Sequence, residues 1–140
     1  MNPQKKWPRR VGTVLHLLVA GLMLFAGSGK VFGTAPPEVV EMMQKHGLGD
    51  KLQLIGCGEM ASAALLLCPW TSPLGVLLCS GFWGGAICLH MSHGEPFIFQ
   101  SGLLILVWIG GFLRGSVPLL RFRGQAWPSG NVNRIEGLPH

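Results

Sequence analysis

Charge is missing from three long stretches of this 140-residue chain: no Lys, Arg, Asp or Glu occurs in residues 11–29, 60–94 or 96–113. A mainly apolar run of about 18 residues or more can cross the hydrocarbon core of a bilayer. Over the whole chain 49% of residues are hydrophobic and 12% are charged, a charged share roughly half that of soluble domains. The sequence therefore reads as an integral membrane protein. The net charge of +5 does not indicate nucleic-acid binding, because the basic residues flank apolar segments and act as topology signals.

Four spans are expected. The first covers residues 11–32, about 33 Å of helix at the usual rise. It follows a basic cytoplasmic arm, residues 1–10, with Lys5, Lys6, Arg9 and Arg10. The arm and run resemble the start of a signal peptide, but the apolar run is long and Pro36 suits cleavage poorly, so an uncleaved first helix is expected. Pro36-Pro37-Glu38 marks a helix start. Residues 39–46 then mix Val39, Val40, Met42 and Met43 with Glu41, Gln44 and Lys45, the pattern of a short amphipathic helix at a membrane surface. The second span, 52–68, stops at Pro69-Trp70-Thr71-Ser72-Pro73. The third covers 74–91, and the fourth begins after Gly94-Glu95-Pro96 and ends near Arg114. The expected architecture is an all-α membrane protein, residues 11–114. It is an antiparallel four-transmembrane-helix bundle with a short amphipathic helix after the first span. A flexible cytoplasmic tail, 115–140, follows. Small residues such as Gly56, Gly81, Gly85 and Gly110 let such helices approach closely.

Basic residues gather before the first span and after the fourth (Arg114, Arg121, Arg123), whereas the other loops hold Glu38, Glu41, Asp50 and Glu95 against Lys45 and Lys51. The positive-inside rule then puts both termini in the cytoplasm. No two of the four cysteines are spaced C-x-x-C, so they read as small packing residues. Pairing of Cys57 with Cys88 stays open, because it needs Cα atoms within about 7 Å.

Polar side chains inside the spans carry the only chemistry. A carboxylate at Glu59 is expensive at that depth and is ordinarily paired or functional. Lys30, His90 and Gln100 fall at a similar depth in the other three spans, with His93 just beyond the third. His16, near the opposite end of the first span, is the exception. Lys30 and Glu59 can form a buried pair that sets helix register, or line a polar pocket open to the outer face. The proposed polar site is therefore Lys30, Glu59, His90, Gln100 and His93. His90 and His93 lie at i, i+3, but His93 falls past the helix end beside Gly94, so no metal site is assigned. Gly27-Ser28-Gly29-Lys30 is not a phosphate loop, since Leu24 and Val31 stand where Gly and Ser or Thr are required. No catalytic residue is assigned. No haem, flavin or iron–sulfur ligand pattern is present.

The segment Phe25-Ala26-Gly27-Ser28-Gly29-Lys30-Val31-Phe32-Gly33 resembles the Lys-bearing end of the first helix in DoxX-like membrane proteins. The resemblance continues through Pro37-Glu38-Val39-Val40-Glu41, Gly47-Leu48, Ile55-Gly56 with Glu59, and Ala86 before His90. It implies a multi-pass protein of the bacterial inner membrane with four helices, and Lys30, Glu59 and His90 lining a shared polar site. It also implies a membrane component of a redox-related assembly, or of one that binds a membrane or periplasmic protein partner. The name of the family comes from a subunit associated with thiosulfate:quinone oxidoreductase. The alternatives are a quinone-linked oxidoreductase subunit, with quinone as the one cofactor the polar groups could serve, and a small-molecule transporter. Four short spans without evident inverted repeats argue against the transporter. The lipid bilayer is the expected partner, nucleic acid is not, and a homo-oligomer is left open.

Overall fold

The computed structural model describes residues 6–115. It contains five α-helices: α1 (Lys6–Phe32), α2 (Pro37–Lys45), α3 (Leu52–Leu67), α4 (Ser72–Ser92) and α5 (Ile98–Arg114), with one 3-10 turn, Gly49–Lys51, leading into α3. No strand occurs among the described residues. The helix of α1 begins at Lys6, so residues 6–10 of the basic arm are helical. Residues 1–5, and the tail beyond Gly115, lie outside the described residues.

Local chemistry explains the boundaries. α2 starts with Pro37 in its first turn and Glu38 beside it. Proline there loses no helical hydrogen bond, and a carboxylate meets the positive end of the helix dipole. α3 stops because Cys68 precedes Pro69 and takes an extended backbone, φ −70° and ψ 122°, as a residue before proline prefers. α4 starts two residues earlier than its hydropathy suggests, at Ser72, because Pro73 fits the first turn.

α1 packs against α3 and α5, and α4 closes a ring by packing against the same two helices. The middle of the ring is apolar, with Val19, Met23, Ala63, Leu66, Cys79 and Val107 among its core residues. Its buried polar side chains are His16, Lys30, Glu59, Ser62 and Ser72. The outside is strongly apolar: Phe25 is 81% exposed, Ile98 79% and Leu54 71%. A core helix of a water-soluble protein is mostly covered. Here the most apolar windows of α1 and α4 are only 33% and 22% buried. Polar groups inside and large apolar groups outside is the distribution a bilayer favours and water penalises. α1 and α4 are long and apolar enough to cross a membrane, while α5 is apolar and shorter.

Candidate functional site

The candidate site is built where the C-terminal end of α1 crosses the first half of α3. Gly27 and Gly56 face each other there. A Cβ on Gly56 would come within 2.8 Å of the Gly27 carbonyl oxygen and 2.9 Å of Lys30 Cβ. Their absent side chains let the two backbones touch, the small-residue packing that membrane helices use. One turn further along each helix, Lys30 Nζ donates to Glu59 Oε2 at 2.6 Å, with side chains 9% and 3% exposed. The close crossing is thus what brings these two charges into contact.

Beside the pair lies a cavity of about 210 Å³ that receives residues from all five helices. Its polar lining is Lys30, Glu59, His90 and Gln100. Its apolar walls include Ala26, Ile55, Phe82, Trp83 and Ala86, with Val39, Met42 and Met43 contributed by α2. Gln100 on α5 meets His90 at the end of α4: the amide nitrogen donates to Nε2 at 2.8 Å. A ring nitrogen that accepts leaves the imidazole proton on the other one, Nδ1. That nitrogen lies 3.1 Å from Glu95 Oε2 but without hydrogen-bond alignment.

Glu95 ties this end together. Besides standing near His90, it accepts from His46 Nε2 at 3.1 Å and lies 3.6 Å from Lys45 Nζ. No residue of α2 is buried, so these contacts from its C-terminal end are a main fastening of the helix over the cavity. Desolvation pushes the Glu95 carboxyl up. The hydrogen bond from His46, with the charges of His46 and Lys45, outweighs it and holds the group below its ordinary 4.5. A depressed carboxyl stabilises while ionised, above its unfolded value, and the contribution is lost as pH falls through the folded value. Hydrogen exchange corrected for intrinsic rates should therefore show α2 amides protected at pH 7 and progressively less so below about pH 4.5. Glu95→Gln should weaken that protection already at pH 7. Equal protection in both proteins across the range would show that Glu95 does not hold α2.

Four of the five expected site residues thus share one cavity. The fifth, His93, stands outside it: its Nδ1 donates to Leu89 O at 2.9 Å or pairs with Ser92 Oγ, and its ring stacks on His46 at 4.0 Å. Among the described residues no group of His, Cys, Asp and Glu has the arrangement of a metal site. All four cysteines are free thiols, with Cys57 and Cys88 both exposed and Cys79 in the core. Sequence reasoning overlooked His46, Glu95 and Trp83. The signal for Glu95 was present, since it is the sole Asp, Glu, Lys or Arg in residues 60–113.

A second polar knot sits at the far end of the ring. His16 on α1 is fully buried. Its Nε2 donates to Val107 O at 3.0 Å. Its Nδ1 accepts from Arg114 Nη1 at 2.7 Å, and that guanidinium also donates to Leu66 O at 3.2 Å. The knot joins α1, α3 and α5. It fits because Gly12 and Gly110 have no side chains; a methyl group on Gly110 would overlap the His16 ring.

A family model described as "DoxX-like family" matches residues 14–110. No curated protein and no solved structure matches the chain.

Proposed function

The chain belongs to the DoxX-like family, and from that premise we propose that it is a four-span antiparallel membrane bundle holding a small amphiphilic molecule in the Lys30–Glu59–His90–Gln100 cavity. The observation that carries this reading is convergence. Four polar side chains from four helices line one largely apolar cavity, and membrane helices do not keep buried ionisable groups without a use or a partner. α3 and α5, 16 and 17 residues long, would cover about 25 Å each at the usual rise. That is a few ångströms short of an average bilayer core, a mismatch that local thinning accommodates. Of the described basic residues outside the buried pair, Lys6, Arg9, Arg10 and Arg114 lie at the His16 end, and Lys45 and Lys51 lie at the cavity end with Glu38, Glu41, Asp50 and Glu95. By the positive-inside rule the cavity faces outward and both termini face the cytoplasm, which suits a bacterial inner-membrane protein. The protein would act as the membrane component of a redox-related or partner-binding assembly.

A second reading makes the occupant a quinone. It is favoured by cavity size, because about 150 Å³ already accepts a benzene ring and this cavity measures about 210 Å³. Titration of the purified protein with a short-chain benzoquinone tests both readings. Quenching of tryptophan fluorescence should saturate in the wild type and be lost in Ala86→Phe, whose ring fills the cavity. Equal quenching in the two proteins would overturn the ligand-site reading. Saturation by a redox-inert ring but not by the quinone would remove the redox reading alone.

A further inference from the structure

Three side chains that line the cavity have polar atoms left without a hydrogen-bond partner. One of these atoms, His90 Nδ1, stands 3.1 Å from the carboxylate oxygen Glu95 Oε2; the other two belong to Trp83 and Gln100. Trp83 is 7% exposed, and its indole nitrogen has no hydrogen-bond partner; the same is true of the Gln100 amide oxygen. Buried polar atoms are paired in the large majority of cases, and each exception calls for an explanation. The Trp83 and Gln100 orphans are chemically opposite. An indole nitrogen can only donate, and an amide oxygen can only accept. The Gln100 oxygen is held in that role because its amide nitrogen is already committed to His90 Nε2 at 2.8 Å.

The charges at the site are closed on themselves. Lys30 and Glu59 form their own pair at 2.6 Å, and the rest of the lining is largely apolar. A charged ligand would enter without an uncompensated counter-charge, and burying an unpaired ion is costly. A purely apolar ligand would leave both orphan atoms unpaired. A hydroxyl group satisfies both, because its oxygen accepts and its hydrogen donates.

We propose that the cavity takes a neutral molecule with an apolar body of about one ring and a single hydroxyl, which accepts from Trp83 Nε1 and donates to Gln100 Oε1. The inference rests on the reading of the cavity as a ligand site. Two sources carry this chemistry: a hydroxylated headgroup on a lipid tail, entering from the bilayer, and a free hydroxylated solute entering from the outer face.

Calorimetric titration of the full chain in detergent distinguishes the outcomes, with toluene, phenol, benzoate and 4-dodecylphenol as probes. Phenol is expected to bind about tenfold more tightly than toluene, as one or two buried hydrogen bonds would produce, and benzoate more weakly than either. Trp83→Phe keeps an aromatic ring but not the donor, so it should reduce phenol to the affinity of toluene while leaving toluene unchanged. Gln100→Leu should do the same independently. In a protein that passes these tests, tighter binding of 4-dodecylphenol assigns the lipid-borne source, and equal binding assigns the free solute. Equal affinity for phenol and toluene in the wild type would overturn the hydroxyl inference while leaving the ligand site standing, as would tightest binding of benzoate. Failure of every probe to bind would overturn the inference and the ligand-site reading together.

Discussion

Glu59→Ala should lower the stability of the detergent-solubilised protein by about 3–5 kcal/mol, the usual cost of removing one member of a buried ion pair. The reason is what remains. The Lys30 ammonium is 9% exposed, and Glu59 Oε2 is its hydrogen-bond acceptor in the structure. Without the carboxylate that charge sits in a low-dielectric interior with nothing to balance it. Glu59→Gln keeps an acceptor oxygen in place and should cost less. The double change Lys30→Met with Glu59→Leu should recover most of the loss, because apolar side chains of similar volume often replace a buried pair at little cost. Chemical unfolding followed by circular dichroism reads all three. If Glu59→Ala unfolded at the wild-type denaturant concentration, the pair would contribute nothing and the account of how α1 and α3 are registered would fail.

The second large effect is expected at the opposite end. His16→Leu removes the acceptor for Arg114 and leaves the Val107 carbonyl without its side-chain donor. An unsatisfied buried group costs about 1–3 kcal/mol, and more where a charged partner is involved. Arg114→Met removes the links to both His16 and Leu66 O and should cost a comparable amount. Because the two side chains share one hydrogen bond, their effects should not add: the double variant should fall short of the sum by about 0.5–3 kcal/mol. Simple additivity in a double-mutant cycle would show that the two residues act separately and that the knot is not a unit.

These two clusters were unequally legible in the sequence. Lys30 and Glu59 are conspicuous because each is a charge in or at the edge of an apolar run, and depth along a helix is a matter of counting residues. Gln100 and His90 followed by the same count. The His16–Arg114 contact joins residues 98 apart, and neither residue announces the other; Arg114 reads as a topology signal at a helix end. Glu95 was placed correctly in a loop, yet its folding back onto His46 and His90 depends on how α2 lies across the mouth of the ring. Trp83 looked like one aromatic residue among several, because the lack of a partner for its N–H is a property of its surroundings. His93 illustrates the converse. Sequence proximity grouped it with His90, but the helix ends between them, and one turn of backbone directs the ring onto His46 instead of into the cavity.

Composition and spacing alone established which segments are helical, that prolines end or open several of them, and at which level their polar groups sit. Those properties follow from local terms: hydropathy over a window, proline geometry, and a rise of about 1.5 Å per residue. Which faces meet was decided only in three dimensions. Glycine pairs at 27 with 56 and at 12 with 110 let backbones touch at two crossings, and those contacts select the rotation of each helix about its own axis. Rotation determines whether a buried polar side chain finds a partner or meets hydrocarbon, and it is a sum over non-local contacts that no one-dimensional pattern encodes.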